Sequence, residues 1–139
     1  MLWPYAPWWV SRDPGGPLQQ TPLISIIDDD ELVRVATAGL VKSLGYMANT
    51  FASADEFLHS PDVSEASCLI VDVQMPKMSG IELQRVLRAK GIGTPIIFIT
   101  AIPEEKRVLD DASSFVLSKP LDSNALIECL ATALAKTGA

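Results

Sequence analysis

The sequence predicts an α/β fold, a doubly wound five-stranded parallel sheet with helices on both faces, and three observations predict it. From Leu23 onward, short apolar runs alternate with segments of helical period, the signature of strands joined by crossover helices. One run, Cys68 to Val71, is apolar at every position, as a strand covered on both faces must be. The first, third, fourth and fifth runs each end in polar or charged residues, where an open parallel sheet binds its ligands.

The elements follow in order. Strand one is Leu23 to Ile27, and a helix from about Glu31 to Leu44 is closed by Gly45 at its C′ position. Strand two is about Met47 to Phe51; Ser53-x-x-Glu56 then reads as a capping box opening a short helix. Strand three, Cys68 to Val71, leads to a helix beginning near Gly80. Strand four is Ile96 to Ile99, with Pro95 tolerable at its first position. Strand five is about Phe115 to Leu117. The last helix, about Ser123 to Lys136, carries Leu126, Ile127, Leu130, Ala131 and Leu134 as the stripe expected to face the sheet.

The 139 residues fit one domain, since domains commonly run from about 100 to 150 residues. Residues 1–20 stand apart as an extension rich in Trp and Pro, with Trp3, Trp8, Trp9 and the run Asp13-Pro14-Gly15-Gly16-Pro17; residues 21–139 form the domain. Two readings of the extension stay open: a leader lying loosely on the domain, or aromatic residues docking on it or on a second copy. No apolar stretch is long enough to span a membrane, and the first ten residues lack the pattern of a secretory signal, so a cytoplasmic setting is expected. A net charge of −6 disfavours direct nucleic-acid binding by this chain. Cys68 and Cys129 sit in apolar runs without ligand spacing and are expected as buried free thiols; His59 is expected at the surface.

The strand ends carry the chemistry. Asp28-Asp29-Asp30 follows strand one, Asp72 strand three, Thr100 strand four, and Ser118-Lys119-Pro120 strand five. Carboxylates converging on one crevice repel unless a cation neutralises them. The donors are hard oxygens with no His or Cys, which suits Mg²⁺, an ion that keeps waters and leaves positions open to a phosphoryl group. A carboxylate can attack phosphorus, with the cation and a nearby Lys neutralising the transferring oxygens.

The segments IISIIDDDE, LIVDVQMPKMSGIEL, PIIFITA and LSKPLD, in this order and spacing, resemble the receiver domain of two-component response regulators, most closely those of helix-turn-helix transcription factors. The resemblance spans about Pro22 to Lys136. It implies the flavodoxin-like strand order 2-1-3-4-5 and a phosphorylation switch fed by a histidine kinase or phosphotransfer protein. Asp72 matches the phosphoacceptor, and Asp28 and Asp29 the pair that positions Mg²⁺ (or Mn²⁺), with Asp29 the more direct ligand. The backbone carbonyl of Gln74 matches a further metal ligand, and Lys119 the phosphoryl-pairing lysine, joined to Pro120 by a bond that is cis in the family. Thr100 matches the hydroxyl that turns toward the phosphoryl group; small Ala101 leaves access for a phosphodonor or water. Asp30 reads instead as the N-cap of the first helix. The family's chemistry is self-modification, so no enzyme in the ordinary sense is expected.

The sequence departs from the family around Thr100 to Lys119. Val116 stands where an aromatic residue is usual, and Phe115, one place earlier, would face the opposite side of a regular strand. The segment is also short, with Asp111-Ala112-Ser113-Ser114 before strand five, which predicts a shortened or irregular fourth helix from about Pro103 to Asp110. This surface commonly signals or dimerises in the family, so a homodimer stays open, as does a second function: an interaction module with impaired or atypical switching. A haloacid-dehalogenase-type phosphohydrolase is disfavoured, because it needs a second acid where Gln74 stands. Both a stand-alone regulator and a piece of a longer one with an output domain fit the sequence.

Overall fold

Five strands, β1 (Leu23–Ile27), β2 (Met47–Phe51), β3 (Cys68–Asp72), β4 (Ile96–Thr100) and β5 (Phe115–Ser118), form one all-parallel sheet in the order β2-β1-β3-β4-β5. This computed structural model describes residues 21–111 and 115–137. The readings of residues 1–20 as an extension, and of Ala112-Ser113-Ser114, lie outside the described residues. The helices are α1 (Glu31–Ser43), α2 (Ala54–Leu58), α3 (Asp62–Glu65), α4 (Gly80–Ala89), α5 (Pro103–Asp111) and α6 (Ser123–Thr137).

Alternation along each strand sorts the core into two layers. Ile24, Ile26, Cys68, Ile70, Ile97 and Ile99 pack with α1 and α6 on one face. Ile27, Leu69, Val71, Phe98 and Val116 pack with Phe57 of α2, Leu83 and Leu87 of α4 and Leu109 of α5 on the other. β3 and β4 are buried throughout, as strands covered on both faces must be.

Local chemistry sets the helix ends. Asp30 caps α1, accepting from the amides of Leu32 at 3.0 Å and Val33 at 3.3 Å, and Gly45 follows its C-cap in the left-handed region, φ 96°. Ser79 and Glu82 form a full capping box on α4, which the sequence reading overlooked. At Ser53 the box is only half made. The Ser53 hydroxyl accepts from the Glu56 amide at 3.1 Å, but the Glu56 carboxylate turns to the amide of Ala52.

Several expectations are corrected or sharpened. The described residues form six helices, because a further short one, α3, follows Pro61. Asp62 there is buried and accepts from Ser25 Oγ at 2.7 Å and Asn49 Nδ2 at 3.0 Å, tying α3 to β1 and β2. The buried stripe of α6 runs through Leu126, Leu130 and Ala133, flanked by Cys129 and Leu134, whereas Ile127 and Ala131 face outward. At 100° per residue the arc centres on Leu126, between Ala133 and Leu130, and Ile127 and Ala131 fall beyond its edge. The helix after β4 is short as expected, nine residues, and regular. Val116 and Phe115 do face opposite layers. Cys68 and Cys129 form no disulfide, but only Cys68 is fully buried, and burial, then the nearby Cys129, push its thiol up to about 12.

Candidate functional site

β1 and β3 are adjacent in the sheet, and the winding direction reverses between them, opening a crevice at their carboxyl ends. β3, β4 and β5 each extend one residue further than the sequence suggests, so Asp72, Thr100 and Ser118 are held within the ladder. That placement fixes their side chains by strand alternation rather than by loop conformation.

One carboxylate oxygen from each of Asp28, Asp29 and Asp72 lies within 4.8 Å of the others. Asp28 and Asp72 are buried, while Asp29 is exposed. Asp28 is oriented by the Asp30 amide, 2.9 Å from Oδ1, and its carbonyl by Arg34 Nη1 at 2.7 Å. Asp72 Oδ1 accepts from the Gln74 amide at 3.2 Å. Lys119 Nζ reaches Asp72 Oδ2 at 3.3 Å and Asp28 Oδ2 at 3.6 Å. The Lys119 amide donates to Thr100 O at 2.9 Å, and the Lys119–Pro120 bond that follows is cis.

The electrostatics follow from the crowding. Burial, then the Asp28 charge, push the Asp72 carboxyl up to about 6, against the opposing pull of Lys119. Lys119 is held above its ordinary value: burial works against its charge, but the Asp28 and Asp72 carboxylates outweigh it. Two buried carboxylates and an exposed third with one lysine leave the cluster net negative, and the all-oxygen donor set fits a hard divalent cation.

Two backbone features of this site were not read from the sequence. At Gly80 a Cβ would lie 2.6 Å from the Asp72 carbonyl oxygen and 3.0 Å from Val71 Cγ1, so glycine is needed for close approach of α4 to the acceptor. Lys77 has φ 68°, and the Met78 amide closes a three-residue turn onto Pro76 O at 2.8 Å. Only the Gly in the quoted MPKMSG run gave a signal for the first. Thr100 is almost fully buried and sits on the α5 side of β4. Beside it a cleft of about 400 Å³ is lined in part by Ala101, Lys106 and Lys119, so Ala101 borders an opening onto the site's lysine. His59 is exposed, paired with Asp55 of its own helix, and far in role from this crevice.

The profile of the response regulator receiver domain matches residues 24–131. The chain belongs to this family, the receiver domains of bacterial two-component systems. Among individual proteins, the response regulator TodT of Pseudomonas putida is 37% identical over 115 residues, covering 81% of this chain and 51% of TodT. The response regulator StyR shares 37% identity at a TM-score of 0.74, covering 84% of this chain and 61% of StyR. The Vibrio cholerae chemotaxis protein CheY4 is 26% identical at a TM-score of 0.72, covering 83% of this chain and all of CheY4. The chain spans about half the length of the curated relatives it matches. No helix among the described residues is long and apolar enough to cross a membrane.

Proposed function

We propose that this chain is a phosphorylation-controlled signalling switch in which Asp72 accepts a phosphoryl group from a phosphohistidine of a histidine kinase or phosphotransfer protein. The grouping of the Asp28, Asp29 and Asp72 oxygens within 4.8 Å, with Lys119 Nζ 3.3 Å from Asp72, is the observation that carries this reading. An Asp72 carboxylate oxygen attacks phosphorus as the P–N bond to the donor imidazole breaks, and the imidazole leaves with the bonding pair. With its ordinary value raised only to about 6, Asp72 is still mostly carboxylate at pH 7 and able to attack.

Asp28, Asp29, Asp72 and the backbone carbonyl of Gln74 would hold Mg²⁺ or Mn²⁺. When bound, the cation neutralises charge on the phosphoryl oxygens. Lys119 pairs with the phosphoryl oxygens, exchanging its contact with Asp72 for them. Thr100 then donates its hydroxyl to the phosphoryl group, and the displacement is felt in the β4–α5 region. The chemistry is confined to the protein itself, in the cytoplasm, and turns over no separate substrate.

Incubation with a small acyl phosphate and Mg²⁺ tests the assignment. Wild type takes up label that Asp72→Ala lacks; unlabelled wild type, or labelled Asp72→Ala, would sink it. Val116 favours a second reading, an interaction module with atypical switching, because no aromatic side chain lies there to follow Thr100. That reading requires label on Asp72 with no change of hydrogen exchange in α5 and β5.

A further inference from the structure

Glu105, in the first turn of α5, has no part in the site reading, yet its carboxylate joins two of the site's segments. One oxygen accepts the Thr100 hydroxyl at 2.6 Å, and the other accepts from the side-chain amide of Gln74. Gln74 lies on the loop after β3 and Thr100 ends β4, so a single side chain ties that loop to the end of β4 beside Asp72.

A hydroxyl has one proton to donate. That of Thr100 is committed to Glu105, and the same hydroxyl oxygen accepts from the Ile102 amide at 3.0 Å. Thr100 is also almost fully buried, so no solvent stands ready to replace a lost partner. While this bond stands, Thr100 cannot donate toward Asp72.

We propose that Glu105 is a positioning residue that latches Thr100 away from the acceptor, and that a phosphoryl group on Asp72 must displace it to capture the Thr100 hydroxyl. The inference rests on the reading of Asp72 as phosphoacceptor and adds the competitor that sets its switching threshold. Phosphorylation adds negative charge next to a carboxylate already hydrogen-bonded at the site's edge, and repulsion favours release. Release frees the first turn of α5 from Thr100 and Gln74 together. The state of Asp72 thus passes to α5 through Glu105, in a chain where Val116 supplies no aromatic relay.

The test is titration with beryllofluoride and Mg²⁺, a phosphoryl mimic, followed by NMR. A ligand that needs released Thr100 binds more weakly by the fraction of molecules that are latched. Glu105→Ala therefore binds at least about tenfold tighter than wild type, the equivalent of one charge-assisted hydrogen bond. Glu105→Gln, which keeps the shape and a neutral acceptor, falls between them and guards against misfolding of the alanine variant. Glu104→Ala removes the same charge from an exposed neighbour paired with Arg107 and stays within about twofold of wild type. In a Thr100→Val background the gain from Glu105→Ala disappears, because the two residues act through one bond. Unchanged or weaker binding by Glu105→Ala, or a gain that persists in Thr100→Val, overturns the latch alone. Wild type that does not bind the mimic at all overturns the phosphoacceptor reading and the latch with it.

Discussion

Asp72 is where burial and a neighbouring like charge act together on one carboxyl group, pushing it from 3.8 up to about 6 in the folded protein. The sign follows directly: the folded state holds this proton more tightly than the unfolded chain does. Its contribution to stability is therefore complete below about pH 4 and is lost as pH rises through about 6. In metal-free buffer Asp72→Asn removes the titration, so it should stabilise by about 1 to 3 kcal/mol at pH 7.5 and by almost nothing at pH 4. Urea unfolding at the two values checks this, and an equal effect at both would refute it. The strand-end acids and Lys119 were legible because a parallel strand delivers its next residue into the crevice whatever the loops do. Glu105 was not, because its reach depends on where α5 begins and on helical phase. The Ser25–Asn49–Asp62 network escaped for another reason: polar residues in mid-strand read as a solvent face until a partner 37 positions away buries them.

At the scale of elements, α5 buries the fewest side chains of the long helices among the described residues. Among its described side chains only Leu109 is buried, against the layer that contains Val116, Leu83 and Leu87. A helix with one buried apolar side chain among its described residues should open locally before the sheet unfolds. Leu109→Ala should cost about 2 to 3 kcal/mol and raise amide exchange across residues 103–111 at least about tenfold, with β3 and β4 amides still slow. Uniformly faster exchange through the sheet would mean that α5 is instead part of the cooperative core. The shortness of this helix was legible from the compressed spacing between Thr100 and Lys119. The rotation of α6 was not, since Ile127 and Ala131 satisfy helical period equally well and only the sheet's position decides which side of Leu130 is covered. α3 was missed because four residues are too few to show a period.

Across the whole molecule, topology and charge meet at one place. The order β2-β1-β3-β4-β5 brings Asp28 and Asp72 together from strands separated by a helical crossover and an edge strand, in a chain whose net charge is −6. The unfolded chain has no such cluster, so a divalent cation should bind the folded state and stabilise the fold as a unit. At a hundredfold excess over its dissociation constant the gain is about 2.7 kcal/mol, on the order of 10 °C in Tm for a domain of this size. Mg²⁺ at neutral pH should therefore raise Tm, and a chelator should return it. Screening of the net charge by any salt would also raise Tm, so the comparison is with NaCl at matched ionic strength. Asp29→Asn separates the two effects further: Asp29 is exposed, so its loss should spare the fold while removing most of the Mg²⁺-specific shift. Equal shifts from Mg²⁺ and matched NaCl, or an undiminished shift in Asp29→Asn, would place the cation outside this cluster.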